Sequence, residues 1–282
     1  TVKLNDDGGY MLLIAAADMG TGCDTILAQM VAEHMECPVE AVNVFGADTD
    51  ASPYDSGSYA SSTTYVTGMA VEKACTQLKE RLCAIAAEVL GCDAAELRFE
   101  GGCVRHDATG RTVSLPEIAA KSQCSCSLAP EATAQHSSPV SPPPYMVGMV
   151  EIELDRETGV VEVLDYAAVV DCGIPINPAL ARIQVEGGIV QGIGHTLMED
   201  VTRTPKGAIR ESSLFTYRLP TRLDTGRINV EFEHSYEPTG PFGAKSIGEI
   251  VINTPGPALV QAIYRATGVW HRELPILPEH IL

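Results

Sequence analysis

The chain has 282 residues, 45% of them apolar, and carries a formal net charge of −18 at pH 7. This size and apolar content predict one domain or two closely packed lobes around a buried core, and the negative charge argues against a nucleic-acid partner because it repels phosphate backbones. No apolar run approaches the roughly 20 residues that span a membrane, and the first segment, interrupted at residues 5–9, is not typical of a signal peptide, so we expect a cytoplasmic protein without a membrane partner.

The first part of the chain has the pattern of an α/β-like lobe. Strands are predicted around residues 10–17 and 41–47, and the turn residues at 5–9 predict a hairpin that leads into the first of them. Apolar residues recur at helical spacing over 24–36 and over 66–90. Three shorter elements are predicted next: a helix at 93–97, a hairpin at 98–105 and a helix that begins near Leu115.

A Ser- and Pro-rich stretch, residues 122–144, is the predicted linker. It separates a first lobe, residues 1–121, from a second lobe, residues 145–282. The second lobe is predicted to contain two strands and two helices, at 145–154, 159–171, 177–200 and 255–267.

Residues 15–25 predict a strand, a tight turn and a helix, with Gly20 and Gly22 in the turn. Backbone N–H groups at such a helix start suit a phosphate or another electron-rich edge of a cofactor; the alternative is a simple strand-to-helix turn. Cys23 lies at this helix start, where the pKa of a thiol can fall. We favour a packing role for Cys23.

A second candidate segment runs from Asp55 to Gly68, where seven of fourteen residues are Ser or Thr. One or two hydroxyls would suffice to cap the following helix. The surplus fits a surface that hydrogen-bonds a polar ligand; the alternative is a solvated loop.

The helix predicted at 177–200 contains four glycines, at 187, 188, 192 and 194. Glycine destabilises a helix interior, so four of them predict a close neighbour, which could be a cofactor, a partner chain or another helix. His195 follows them, and no second His or Cys stands at metal-ligand spacing, which favours a capping or core role for it.

Glu249 is the candidate general base. It follows a glycine-rich and nearly uncharged stretch that contains Gly243 and Gly248. A carboxylate partly removed from water in such a loop would have a raised pKa suited to proton transfer near neutral pH. The alternative is a turn with a solvated carboxylate.

In this order, the segments resemble the C-terminal half of the molybdenum-cofactor-binding large subunit of the molybdenum hydroxylases, the family of xanthine dehydrogenase and aldehyde oxidoreductase. The resemblance implies an α+β fold of two lobes with mixed sheets and packed helices, in which the first lobe binds the cofactor and the second carries the catalytic Glu loop. It covers essentially the whole chain and rests on six ordered motifs, at residues 18–25, 57–71, 157–164, 171–178, 184–194 and 243–249.

The resemblance also implies roles for particular residues. Glu249 falls on the family's catalytic base, and Ala60 falls beside molybdenum through its backbone. Thr21 stands where the family usually carries Gln, and its shorter side chain has one donor instead of two. The implied cofactor-binding residues are Gly20, Thr21, Gly22, Ala60, Ser61, Thr63, Thr64 and Gly248.

The activity implied by the resemblance is molybdenum-dependent hydroxylation of an N-heteroaromatic substrate, such as xanthine or nicotinate, with water-derived oxygen. The alternatives are an aldehyde oxidoreductase of the same family and a non-catalytic structural half-subunit. A hydrolase is disfavoured because the G-x-S-x-G motif is absent. The expected cofactor is molybdenum bound to pterin in the form of molybdopterin cytosine dinucleotide.

The expected partners are the N-terminal half of the large subunit, as a separate chain or a removed segment, together with iron–sulfur and flavin subunits and a small-molecule substrate. The nine cysteines include no C-x-x-C, and the closest pair is Cys124 and Cys126. The 2Fe–2S clusters and FAD are therefore expected on partner chains.

Overall fold

The computed structural model describes residues 1–125 and 128–282, and in it the predicted N-terminal hairpin is present. Strand β1 (Val2–Leu4) pairs antiparallel with β2 (Tyr10–Ile14) across the turn. Helix α1 (Cys23–His34) follows, and β3 (Val42–Gly46) returns parallel to β2. These positions confirm the predicted strand, turn and helix order. Cys126 lies outside the described residues.

Helix α2 (Gly68–Leu90) is the longest helix, and its buried residues recur at helical spacing, as predicted. A π-helical turn over Thr63–Thr67 precedes it. The long helix predicted at 66–90 was therefore right in extent, but its first residues belong to this wider turn. Gly68 permits close packing there, because a Cβ at this position would lie 2.8 Å from Pro241 Cγ and 2.9 Å from Met30 Sδ.

A small antiparallel sheet follows α2. Its strands are β4 (Leu97–Glu100), β5 (Cys103–His106) and β6 (Thr112–Ser114), and helix α3 (Leu115–Ser125) comes next. Strand β7 (Glu131–Ala132), which lies within the predicted linker, pairs with β1 and completes a four-stranded sheet of order β3-β2-β1-β7. All of these elements belong to one compact unit, called unit 1, which comprises residues 1–142 and 237–246.

Unit 2 comprises residues 143–236 and 247–282. The predicted hairpin forms β8 (Tyr145–Leu154) and β9 (Val161–Asp171), and β10 (Arg227–Phe232) pairs parallel with β9. Two predicted helices are confirmed as α4 (Pro178–Leu197), capped by Asn177, and α5 (Pro255–Thr267).

The core of unit 2 lies between one face of its sheet and its helices. Tyr166 and Val170 of β9 are fully buried there, as are Ile189 of α4 and Leu259 of α5. Among the described residues, no helix combines the length and the apolar character needed to cross a membrane.

Candidate functional site

Unit 1 contains a cleft of about 510 Å³, a volume in the range of small-molecule sites. Strand β2 and the turn before α2 form part of its wall, and the stretch before β8 forms another part. Hydroxyl groups dominate its polar lining. The lining residues include Tyr59, Ala60, Ser62, Thr67, His136, Ser137, Ser138 and Ser246.

Ala60 and Ser61 have an unusual backbone. Both have positive φ values, 50° and 57°, in the left-handed region that favours glycine. Two consecutive non-glycine residues in this region store strain, and such strain clusters at functional sites. Ala60 is exposed and lines the cleft, whereas Ser61 is half-buried and is not among the lining residues.

Several hydroxyls of this segment are used within the segment itself. Thr63 Oγ1 donates to Ser58 Oγ at 2.7 Å, and Thr67 Oγ1 donates to Asp55 Oδ2 at 3.1 Å. Thr63 and Thr64 are half-buried and do not line the cleft. Part of the Ser and Thr content that suggested a ligand surface therefore holds the strained turn in place.

His136 is a residue that the sequence analysis missed, because a lone His in a Ser-rich stretch gives no signal. Its Nδ1 lies 2.9 Å from Lys73 Nζ. An ammonium group can only donate, so Nδ1 accepts and the proton of the neutral ring lies on Nε2. Nε2 is buried and has no hydrogen-bond partner among the described residues. Burial, and then the charge of Lys73, lower the pKa of His136.

The backbone N–H groups of Gly20 and Gly22 have an acceptor within their own loop. Both glycines have positive φ values, 99° and 77°. Their N–H groups donate to Asp18 Oδ1 at 2.8 and 3.2 Å. The Asp18 carboxylate is thus the acceptor for both groups within the chain, and contact of this loop with a cofactor stays a prediction. Gly20 and Thr21 themselves are exposed.

Cys23 is buried at the start of α1. Burial raises the pKa of its thiol to about 12, with further contributions from Asp18 and Asp24. The packing role predicted for Cys23 is confirmed, and the lowered pKa considered for a helix start is not found, because two carboxylates and burial outweigh the helix terminus.

Glu249 belongs to unit 2, whereas the other predicted site residues apart from Gly248 belong to unit 1. Glu249 is exposed, and it precedes a 3-10 turn at Ile250–Ile252. The partial removal from water that the sequence suggested is therefore not provided by the residues that the structure describes. Gly248 is half-buried.

The glycines of α4 face different surroundings. A Cβ at Gly188 would lie 2.7 Å from Val251 Cβ, and one at Gly192 would lie 2.7 Å from Pro255 Cγ. At Gly187, no atom would lie within 4 Å. The sequence left open whether these glycines face a cofactor, a partner chain or another helix. For Gly188 and Gly192 the close neighbour is the segment of this chain that follows Glu249, including the start of α5.

The end of α4 is tied to the chain that follows it. A Cβ at Gly194 would lie 2.8 Å from Pro220 Cδ. Glu199 accepts a short hydrogen bond from the Tyr217 hydroxyl, and His195 Nε2 lies 3.9 Å from Glu199 Oε2. His195 is half-exposed in the last turn of the helix, where a basic side chain complements the helix dipole.

One other cluster has the composition of a metal site. Cys92, Glu96 and His106 each place a ligand atom within 4.8 Å of the others. However, His106 Nδ1 accepts the N–H groups of Ala108 and Thr109 at 3.2 and 3.4 Å. The ring proton then lies on Nε2, 3.5 Å from Glu96, and a protonated nitrogen cannot be a ligand. The cluster is a surface contact between side chains.

Comparison with known proteins relates this architecture to one group. The family model described as "Molybdopterin cofactor-binding domain" matches residues 1–226. The chain is 34% identical to the probable hypoxanthine oxidase XdhD of Escherichia coli (strain K12), over 100% of this chain and 30% of that protein. It is 32% identical to the gamma subunit of the 6-hydroxypseudooxynicotine dehydrogenase complex of Paenarthrobacter nicotinovorans, over 99% of this chain and 36% of that protein.

Among solved structures, quinoline 2-oxidoreductase from Pseudomonas putida 86 superimposes with a TM-score of 0.88 at 27% identity, over 99% of this chain and 37% of that one. The copper- and molybdenum-containing CO dehydrogenase has a TM-score of 0.86 at 23% identity, over 99% of this chain and 36% of that one, and supports the fold alone. The predicted α+β fold is confirmed. The chain spans about a third of the length of these relatives.

Proposed function

This chain belongs to the molybdopterin cofactor-binding domain family, and from that membership we propose that it forms part of the molybdenum-binding subunit of a hydroxylase. The observation that carries the proposal is the family match over residues 1–226, a range that includes the Gly20–Gly22 loop and the strained pair Ala60 and Ser61. The relatives described above are named as oxidases, dehydrogenases and oxidoreductases, so the assembled protein is expected to be a molybdenum-dependent oxidoreductase.

The proposed substrate is an N-heteroaromatic compound, and a purine such as hypoxanthine or xanthine is the first candidate. The support is that relatives at 27% to 34% identity are named for hypoxanthine, a hydroxylated nicotine derivative and quinoline. The aldehyde oxidoreductase of Desulfovibrio desulfuricans is 24% identical and bears on the fold alone. Aldehydes are therefore the second class to test.

The residues of unit 1 fit a molybdenum–pterin group. Ala60 is exposed and has no side chain beyond Cβ, which lets a ligand approach the backbone, and the hydroxyls of the cleft can match the donors and acceptors of a pterin. When bound, the group would supply the two-electron oxidation and activate a water-derived oxygen. The residues proposed from the family resemblance to bind the cofactor are Gly20, Thr21, Gly22, Ala60, Ser61, Thr63 and Thr64 in unit 1 and Gly248 in unit 2. Of these, Ala60 lines the cleft.

Glu249 is the proposed general base. Its carboxylate would accept the proton of the attacking water-derived oxygen. Because Glu249 is exposed in this chain, further polypeptide would have to exclude water from it. The N-terminal part of the large subunit is proposed for that role, since this chain spans about a third of its relatives.

The remaining features of the assembly are proposals from the family. They are the cytosine dinucleotide form of the pterin, 2Fe–2S and FAD on separate chains, and a location in the cytoplasm.

The test is to purify the native assembly and to measure its molybdenum, the pterin nucleotide released on denaturation, and its turnover of purines, nicotinate, quinoline and aldehydes. We expect stoichiometric molybdenum and turnover of an N-heteroaromatic compound. Glu249→Gln should keep the molybdenum and lose about 100-fold to 10,000-fold in kcat. An intact assembly without molybdenum and pterin would overturn the proposal in favour of a structural half-subunit.

A further inference from the structure

The turn that carries Glu249 is anchored two residues later. Val251 is 1% exposed, and its side chain packs directly on the backbone of α4 at Gly188. A Cβ at Gly188 would clash with Val251 Cγ2 and would lie 2.7 Å from Val251 Cβ and 3.1 Å from its carbonyl carbon. Real Cβ atoms do not approach other atoms this closely, so only glycine lets the turn sit at this depth.

A second anchor lies just beyond the turn. Thr254 Oγ1 accepts a hydrogen bond from the hydroxyl of Tyr166, a fully buried residue of β9, at 2.9 Å. Gly148 of β8 makes room for this pair, because a Cβ there would clash with the Tyr166 hydroxyl and lie 2.8 Å from Thr254 Oγ1. The hydrogen bond therefore also depends on a glycine.

A third anchor is formed where α5 begins. Pro255 packs on Gly192, one helical turn after Gly188 along α4. Segment 251–255 is thus fixed at three points, each of which requires a glycine on the neighbouring element. The exposed Glu249 side chain emerges from a backbone that has little freedom to shift.

We propose that Gly188 is a positioning residue for Glu249, acting through Val251. The inference rests on the proposed function, in which Glu249 is the base. Because residue 188 is glycine, the turn at Ile250–Ile252 packs close to α4. This close packing determines the position of the Glu249 carboxylate. A larger residue at 188 would push Val251 outward and displace the carboxylate from its reacting partner, and a displacement of about 1 Å can reduce a rate about 100-fold.

Gly187 supplies a matched control. It is the adjacent residue of the same helix, and a Cβ there would meet no atom within 4 Å. Gly187→Ala and Gly188→Ala therefore make the same chemical change with the same effect on helix propensity. Gly187 is exposed and Gly188 is buried, so the new methyl group meets Val251 in Gly188→Ala and open space in Gly187→Ala.

The experiment compares these two variants in the native assembly. Gly188→Ala should lower kcat about 10-fold to 100-fold with KM within about 2-fold and molybdenum content unchanged, whereas Gly187→Ala should keep the wild-type kcat. Hydrogen exchange gives a readout independent of activity. The amides of Ile252 and Asn253 donate to the backbone carbonyl oxygens of Glu249 and Ile250, and they should exchange faster in Gly188→Ala only. Wild-type kcat in a Gly188→Ala enzyme with intact molybdenum would overturn the inference.

Further variants separate the possible failures. In a Glu249→Gln background, Gly188→Ala should reduce the residual rate by less than about 2-fold, because both changes disable the same group; a full additional loss would overturn the inference.

Val251→Ala combined with Gly188→Ala removes the clashing γ-carbon and should recover part of the rate. If Gly188→Ala does not fold, Val251→Ala alone should lower kcat with molybdenum retained, and an unchanged kcat there would also overturn the inference. Full activity of Glu249→Gln would instead refute the proposed base.

Discussion

The carboxylate of Asp18 accepts the backbone N–H of Gly20 at 2.8 Å. Hydrogen bonds from Gly20, Gly22, Asp24 and Thr21 lower the pKa of Asp18, although burial, the largest single influence, acts in the opposite direction. The loop therefore supplies its own anionic acceptor to the N–H groups of Gly20 and Gly22.

Removing this carboxylate should loosen the loop. In Asp18→Ala, the amides of Gly20 and Gly22 lose their acceptor and should exchange with solvent faster, whereas Asp18→Asn keeps an acceptor oxygen and should change exchange much less. Because the folded-state pKa lies below the ordinary 3.8, the stabilising effect of Asp18 is present above that value and is lost as the pH falls through the folded-state pKa. Exchange mass spectrometry of the two variants would test this, and equal exchange would contradict it.

The cysteines should differ sharply in reactivity. Burial raises the pKa of Cys23 and of Cys75 to about 12, so at pH 8 only about one thiol in 10,000 is a thiolate. Cys124 is exposed. Labelling of the native protein with iodoacetamide, followed by peptide mass spectrometry, should modify Cys124 and leave Cys23 and Cys75 intact until denaturant is added. Labelling of Cys23 before denaturant is added would contradict the prediction that burial protects this thiol.

Substitutions at Ala60 should test whether its backbone conformation matters. Glycine adopts the left-handed region without strain, so Ala60→Gly should unfold at or slightly above the wild-type temperature. Ala60→Val places a β-branched side chain in the same region and should destabilise the protein by about 1–2 kcal/mol. It should also reduce the pterin recovered from the native assembly, whereas Ala60→Gly should retain it. Equal stability of the two variants would argue against a left-handed Ala60.

The hydrogen bond between Tyr166 and Thr254 should contribute to stability. Tyr166→Phe removes a buried donor and leaves Thr254 without this partner, which should cost about 1 kcal/mol. Burial raises the pKa of Tyr166, and the hydrogen bond to Thr254 only partly offsets this, so the loss should not depend on pH between 6 and 9. Urea unfolding at both pH values measures it, and an unchanged midpoint would contradict the prediction.

Local signals allowed much of the fold to be predicted. The helices and the hairpins formed by β1–β2 and β8–β9 have clear periodicity and turn residues within short stretches. Strand β10 was missed because no local turn marks its pairing with β9, which joins residues about 60 positions apart, such as Arg227 and Asp165. Helix α4 was predicted, but the partner of its glycines could not be, since a glycine records only that something lies close.

The candidate site was less accessible to sequence reasoning. The Ser- and Thr-rich turn was located, yet the positive φ values of Ala60 and Ser61 have no local sequence signature, because neither residue is Gly or Asn. The role of Asp18 as acceptor for the N–H groups of Gly20 and Gly22 and the exposure of Glu249 depend on the three-dimensional arrangement of these segments, which the composition of the loops does not determine.

The division of the chain has a genetic consequence. Unit 1 is built from two separate parts of the chain, because residues 237–246 belong to it although they follow residues 143–236 of unit 2. A hydrogen bond of 2.6 Å between the Tyr65 hydroxyl and Thr239 Oγ1 joins the two parts. When synthesis has reached Pro142, residues 237–246 of unit 1 have therefore not yet been made. A single recombination at Pro142 between two relatives would pair one parent's Tyr65 and Gly68 with the other parent's Thr239 and Pro241, so we expect exchange of both units together to preserve these contacts best.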